Sequence, residues 1–464
     1  MSKITFLGAT GTVTGSRFLL DVQGNTMLID CGLFQGLKEN RLKNWEPFPF
    51  PPQDIERVFL THAHIDHSGY LPRFCKEGFS GTVHCTYATR DLCEILLRDS
   101  AHLHEEDARW ANKKGFSKHE EALPLYTLAD AEQALSLFSP LYYGEHYNLG
   151  GNIRVKLKDA GHILGSSFID IKTADDGKSK KIFFCGDFGR PDRPLMSDPV
   201  QAFNVDYLVM ESTYGNRLHE NVSASGELAR VVNESVKRGG VLLIPSFSVG
   251  RAQALLYMLR ELEEQGEIRS LPIYLDSPMS IEATGVFEKH ISELDLTSRV
   301  QTIKGKRIFH PKQLEYCKTV SESKAINERK SRAVIISASG MVTGGRILHH
   351  MIHRLPNPED TILFIGYQAE GTRGRSVLEG EKSVKIHGQY VAVNAKIENI
   401  SGFSGHPDSN EMLAWLMGFN RPPKRTFIVH GEPESSSALA DRIRQKFKWD
   451  VVVPEYGQSF ELDL

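Results

Sequence analysis

Between Thr61 and Gly69 the chain reads Thr-His-Ala-His-Ile-Asp-His-Ser-Gly, placing four side chains able to bind a metal, His62, His64, Asp66 and His67, within six positions. Imidazole and carboxylate together suit borderline divalent ions, zinc above all, rather than the all-oxygen sites of calcium or magnesium. In extended backbone His62 and His64 project to the same side and can reach one ion. Asp66 and His67 follow where the chain turns and can reach a second. A merely histidine-rich polar loop is the alternative, and the density of ligand types after a strand argues against it. Further donors stand beside glycine at apolar strand ends: His162 after Gly161, and Asp187 after Gly186. Asp30 ends another strand, where a carboxylate can support a ligand from behind. His406 lies in Ser-Gly-Phe-Ser-Gly-His-Pro-Asp before a helical pattern, and His430 follows the strand-like Phe427-Ile428-Val429. His102 and His104, two apart on a helical stretch, diverge by about 200° and cannot share an ion.

These residues need rigid elements to hold them. Residues 55–60 read as a short buried strand before the histidine-rich loop, and a helix begins just after Gly69. The start is a β-meander over residues 4–7, 16–22 and 26–30. Gly8, Gly11 and Gly15 suggest a dinucleotide fingerprint, but strands follow them where that motif needs a helix. Residues 89–114 and 129–137 are helical patterns. From about residue 205 short apolar strands (241–245, 272–276, 333–337, 361–365) alternate with helices such as 251–263 and 346–354. That rhythm implies a parallel, doubly wound sheet. Two glycine-rich loops follow such strands, one holding Ser339, Gly340, Thr343 and Arg346, the other Arg373 and Arg375. Neither has the lysine of a Walker A loop, yet free amides with arginine suit phosphate oxygens. Lys304, Lys306, Arg307, Arg329, Lys330, Arg332, Arg346 and Arg354 are candidates for a basic patch, with an ordinary solvated surface as the alternative.

At 464 residues, two or three domains are expected, and 40% hydrophobic content is ordinary for a soluble globular chain. With a formal net charge of −3, any nucleic-acid binding must come from a local patch. The six scattered cysteines form no C-x-x-C pair and suggest buried thiols in a reducing compartment. The first residues show no secretory leader, and no apolar run approaches a membrane span. A cytoplasmic protein without membrane attachment is the expectation.

His62-Ala63-His64-Ile65-Asp66-His67 resembles the H-x-H-x-D-H signature of the metallo-β-lactamase fold, with Asp30, His162 and Asp187 where that fold's other motifs belong. Glu211, His406 and Val429-His430-Gly431 resemble motifs A, B and C of its β-CASP group of nucleases. The resemblance runs essentially end to end and is nearest to compact bacterial and archaeal relatives of the endonuclease that cleaves pre-mRNA 3′ ends. It implies an α/β fold: an αββα sandwich from residues 1–211 and 391–464, with a doubly wound parallel β-CASP domain, 212–390, inserted. It implies two zinc ions per chain, one held by His62, His64 and His162, the other by Asp66, His67 and His430, with Asp187 bridging and Asp30 behind the ligands. His406 would donate a proton, oriented by Glu211, and Asp66 would share in the catalytic centre. The histidine at motif C points to RNA as substrate. The reaction implied is hydrolysis by a hydroxide held between the zinc ions, leaving 5′-phosphate and 3′-hydroxyl ends, in RNA processing or decay. Internal cleavage is preferred to 5′-exonuclease action, on single-stranded RNA. Arg251, Ser339, Gly340, Thr343, Arg346, Arg373 and Arg375 would hold backbone phosphates. A homodimer is allowed, not required. The rivals are a lactam, thioester or sulfate-ester hydrolase on the same sandwich, a silent RNA-binding subunit and a dinuclear iron protein. The first would carry its last metal histidine soon after Asp187, and the second would have lost ligands.

Overall fold

The computed structural model describes residues 2–114, 121–175, 178–219, 223–296, 307–329, 332–366, 368 and 371–464, less the side chains of Asp175, Lys178 and Ser401. It divides into two compact units, Met1–Leu218 with Gly405–Leu464, and His219–Ser404.

In the first unit the expected meander forms. Phe18–Val22 and Asn25–Ile29 pair antiparallel across Gln23-Gly24. Both turn residues have positive φ (53° and 85°), the conformation a two-residue hairpin turn of right-handed strands requires. Ser2–Phe6 adds beside Phe18–Val22, and Ser459–Leu462 from the far end of the chain adds beside Ser2–Phe6. Arg57–Phe59 and Thr82–His84 complete a six-stranded sheet in parallel with Asn25–Ile29. A second sheet has seven strands, in the order Val451–Val452, Arg425–Val429, Tyr207–Glu211, Lys178–Phe184, Ser167–Asp175, Ile153–Asp159, Tyr147–Asn148.

Alternation along the strands decides what lies between the sheets. Ile4, Phe6, Phe18, Leu20, Met27 and Ile29 interdigitate with Val155, Leu157, Ile169, Ile171, Phe184, Val209 and Phe427 in one buried cluster. The opposite face of the second sheet, through Phe168, Phe183, Leu208, Met210 and Ile428, is covered by the helices Ser409–Met417 and Pro433–Phe447. The helices Leu71–Lys76, Tyr87–Lys114 and Leu128–Ser136 belong to the first sheet's side of the chain. His102 on the long helix is exposed beside Glu106, at 3.4 Å, and His104 sits edge-on to Tyr126. All six cysteines are buried and free. No described helix is long and apolar enough to cross a membrane.

The second unit is built on a six-stranded, wholly parallel sheet in the order Leu314–Tyr316, Ile273–Asp276, Ala333–Ser337, Val241–Pro245, Thr361–Phe364, Lys396–Asn399. Its four central strands are buried along their whole length because both faces are covered, whereas the edge strands Leu314–Tyr316 and Lys396–Asn399 carry charged residues. Val241, Leu243, Ile335, Ile362 and Phe364 pack with Ile347, Leu348 and Met351 of the helix Arg346–Arg354. Leu242, Ile244 and Ile336 are buried on the other face. The sequence reading ended the insert at residue 390. The second compact unit runs on to Ser404, where Lys396–Asn399 pairs in parallel with Thr361–Phe364 at the edge of the same sheet. A short strand's sheet membership depends on its partner, which its own letters do not reveal.

Candidate metal centre

Parallel pairing in register is what collects the ligands. In the first sheet Ile29 lies opposite Phe59, so Asp30 and the segment Leu60-Thr61-His62 leave the sheet at the same edge. In the second, Val209 pairs with Phe184 and Glu211 with Val429, so Asp187, Glu211 and His430 leave together at the carboxyl ends of three adjacent strands. The N–H of Ser167 donates to Thr61 O at 2.7 Å, tying one sheet's edge to the other's.

Asp66 and His67 lie in a one-turn helix, Ile65–Ser68, rather than the loop that their sequence suggests. This helix presses against the segment after Asp30: a Cβ on Gly32 would stand 1.6 Å from Asp66 O. Glycine is required there for backbone to meet backbone. Gly186, at φ +52°, similarly lets the strand end before Asp187 lie against Thr61, whose Cβ a side chain would meet at 2.6 Å.

Two nests result. In one, His64 Nδ1 lies 3.0 Å from His62 Nε2 and 3.4 Å from His162 Nε2, and Asp187 Oδ2 is 3.7 and 3.8 Å from the Nε2 atoms of His62 and His162. In the other, His67 Nε2 lies 3.3 Å from His430 Nε2, and Asp66 Oδ2 lies 3.9 and 3.5 Å from those same atoms. Asp187 Oδ1 faces this second nest, 3.3 Å from His67 Nε2 and 3.2 Å from His430 Nδ1. One carboxylate thus turns an oxygen to each nest.

Asp30 sits fully buried behind the ligands. His67 Nδ1 donates to its Oδ2 at 2.7 Å, and Thr61 gives it both the backbone N–H, at 2.7 Å, and the hydroxyl. With its hydroxyl hydrogen committed, Thr61 Oγ1 accepts from His62 Nδ1 at 3.1 Å. Asp30 therefore sets the tautomer of two histidines at once, leaving each Nε2 as the atom toward a cation. Thr61 was missed in the sequence, where nothing marks a threonine as the relay between a carboxylate and a ligand.

The donor set fits metal ions. Burial, then the charge of His67, pushes His62 well below the ordinary histidine range, burial brings His64 down to about 4, and burial with the charge of His406 depresses His162. These three are neutral imidazoles at pH 7, the form that ligates. Burial opposes charge on His67, but Asp187 and Asp30 outweigh it and hold its imidazolium well above the usual range. Burial likewise opposes charge on Asp187, yet His430 and His67 keep the carboxylate ionised. A buried carboxylate oxygen, Asp187 Oδ1, is left without a hydrogen-bonded partner. A pocket with buried carboxylates and the lone pairs of His62, His64 and His162 calls for cations, which would take the place of the proton His67 carries.

Beside the nests, His406 Nδ1 donates to Glu211, 3.0 Å from each carboxylate oxygen. Glu211 is buried and accepts the N–H of Phe188 at 2.9 Å. The His406 ring stands 4.7 Å from that of His162 between centroids.

The residues proposed for phosphate binding all belong to the second unit and are not equivalent. Ser339 and Thr343 hydrogen-bond one another in the loop after Ala333–Ser337, at 3.0 Å. Arg251 opens the helix Arg251–Gln265, alongside Gly366, and Gly340 packs against Phe247. Arg375 pairs with Glu379, the residue that follows its own helix Arg373–Leu378, at 2.6 Å. Arg346 turns inward instead: its Nη1 donates to Asp276 Oδ1 at 2.7 Å and Cys317 O at 2.9 Å, its Nη2 to Lys318 O at 2.8 Å. Arg373 is spent on the carbonyls of Lys385, Val342 and Thr343. Arg354 is buried on the carbonyls of Ile326, Asn327 and Arg329. The basic patch read from the sequence thus loses Arg346 and Arg354, because buried carboxylates and loop carbonyls need those guanidiniums more than solvent does. Lys304, Lys306 and Lys330 lie outside the described residues.

Comparison with known proteins identifies the family. Residues 11–164 match the model of the metallo-beta-lactamase superfamily, 252–377 that of the Beta-Casp domain, and 390–454 that of the Zn-dependent metallo-hydrolase RNA specificity domain. Ribonuclease TTHA0252 of Thermus thermophilus is 35% identical over 98% of this chain and 99% of its own length. The transcription termination factors FttA of Methanocaldococcus jannaschii and Methanosarcina mazei are 32% and 31% identical, over 97% and 96% of this chain and 70% and 69% of theirs. A crystal structure of an Enterococcus faecalis protein of unknown function superposes with a TM-score of 0.55 at 14% identity, covering 99% of this chain and 100% of that one, which bears on the fold alone. With family models and relatives matching along its length, the chain belongs to the β-CASP ribonuclease family of metallo-β-lactamase-fold hydrolases.

Proposed function

We propose that this protein hydrolyses internal phosphodiester bonds of single-stranded RNA in a zinc-dependent reaction, leaving 5′-phosphate and 3′-hydroxyl ends. The carrying observation is Asp187, whose two oxygens face separate histidine nests, next to a histidine already paired with a buried glutamate. The names of the relatives, a ribonuclease and termination factors, support RNA as the substrate.

His62, His64 and His162 would hold one zinc and Asp66, His67 and His430 the other, with Asp187 shared. Bound there, the ions would supply Lewis acidity toward the scissile phosphate and a water acidified to a pKa of about 7. The protein's own part is positional and acid–base. Asp30 and Thr61 keep His62 and His67 aimed into the nests. Glu211 accepts the Nδ1 proton of His406 and fixes the ring, so Nε2 is the nitrogen left to give a proton to the departing 3′ oxygen. Such an acid contributes about 10²–10⁴ in rate. In the second unit, Arg251, Ser339, Gly340, Thr343 and Arg375 would contact backbone phosphates, with Arg346 and Arg373 shaping the loops that carry them. Contacts of this kind position RNA without reading its sequence.

A circular RNA and a 5′-labelled linear RNA of the same sequence test the proposal, with end-group analysis of the products. Linearised circles, 5′-phosphate ends, loss of cleavage on chelation and recovery with zinc are expected. Intact circles beside a shortened linear RNA would mean an exonuclease. Cleavage insensitive to chelators would overturn the metal reading.

A further inference from the structure

The loop that follows Asp187 does more than deliver that ligand. Its Phe188 N–H donates to Glu211, the partner of His406. Gly189 lies against the loop before His162, its N–H donating to Ala160 O at 2.7 Å, and a Cβ there would stand 2.0 Å from Gly161 O. Arg193, half-buried, points Nη1 at two carbonyls, those of His162 at 3.0 Å and Gly405 at 3.3 Å. His162 Nδ1 also lies 3.4 Å from Gly405 O, so carbonyl, imidazole and guanidinium meet at one point. Gly405 is bare of side chain where a Cβ would press on the His162 ring at 3.0 Å. Further along, Arg190 forks onto Glu411, with Nε 3.1 Å from both oxygens and Nη2 2.9 Å from Oε1. Glu411 in turn accepts the N–H of Asp408, whose side chain caps the helix beginning just after His406 and Pro407.

One loop therefore grips the His406 turn at its start and at its end. A turn of Gly-His-Pro between a chain return and a helix N-terminus has little local reason to hold one geometry, and these forks provide it. We propose that Arg193 is a positioning residue for His406, setting the imidazole's place relative to the metal nest by clamping Gly405 O to His162 O, with the Arg190–Glu411 pair as a distal anchor. The inference rests on His406 being the proton donor of the proposed reaction.

The test is a double-mutant cycle on zinc-loaded full-length protein, with cleavage of a labelled RNA and elemental analysis of each variant. Arg193→Ala should keep its metal, lower kcat by about 10–100-fold with KM little changed, and shift the pH–rate limb that His406 contributes. In a His406→Ala background the same substitution should add almost nothing, since the geometry it serves is gone. Arg193→Lys should recover much of the rate, because one ammonium can serve both carbonyls. If Arg193→Ala folds poorly, Arg193→Gln replaces it in the same cycle, with a smaller loss expected and the same non-additivity. Full additivity in the His406→Ala background, lost metal, or unchanged kcat would each overturn the clamp. If His406→Ala alone cleaves at the native rate, the acid assignment itself falls, and the clamp with it.

Discussion

His406 and His430 have rings 6.5 Å apart between centroids, yet their neighbours differ. His430 faces His67 Nε2 at 3.3 Å and Asp66 Oδ2 at 3.5 Å, the surroundings of a ligand. His406 faces the buried Glu211, the geometry behind the proposed proton-donor role. The two alanine variants should part accordingly. His430→Ala is expected to lose about one metal ion per chain and all measurable cleavage. His406→Ala should keep its metal content, read by elemental analysis, and lose about 10²–10⁴ in rate. A native rate in the second variant would reject its role. The histidine-rich loop was legible in the letters because its donors are consecutive. Thr61 and Arg193 were not, since each acts through a backbone or side-chain atom remote in sequence.

At the scale of elements, close backbone approach and buried charge are the features most open to test. Gly32→Ala would drive a Cβ into Asp66 O, displacing the one-turn helix that carries Asp66 and His67. A stability loss of about 1–3 kcal/mol is expected from such overpacking, along with reduced metal content. In the second unit Asp276 is buried at a strand end and holds Arg346 at 2.7 Å, His350 at 2.6 Å and Ser323 at 2.5 Å. Burial acts to raise its carboxyl, but hydrogen bonds from His350, Ser323 and Arg346 bring it below the usual aspartate value. A folded-state value below the unfolded one means the stabilisation is present above about pH 4 and is lost as pH falls through the folded value. Asp276→Asn should cost the second unit about 3 kcal/mol near neutrality, with the gap to the native protein closing in acid. Denaturant melts at pH 7 and below pH 4 check this. Equal gaps at both would assign the effect to packing instead.

At the scale of the molecule, the candidate ligands and the His406–Glu211 pair all lie in the first unit, while the candidate phosphate loops belong to the second. Metal binding stabilises only the fold that holds the site. Hydrogen exchange with and without chelator should therefore show faster exchange around residues 61–68 and 429–431 on metal removal, and unchanged protection in the strands Val241–Pro245 and Ala333–Ser337. Comparable loosening of both would contradict separate cores. The amino-acid sequence by itself determined the chemistry on offer, the opening meander and the parallel insert, because donor spacing and the period of apolar residues are local properties. Tertiary structure alone decided that Arg346 and Arg354 serve buried carboxylates and carbonyls, that Lys396–Asn399 pairs with Thr361–Phe364, and that Asp187 turns one oxygen to each nest. Those outcomes depend on which strand ends lie side by side, and strand pairing between residues far apart in the chain is a matter of the whole fold's burial and register.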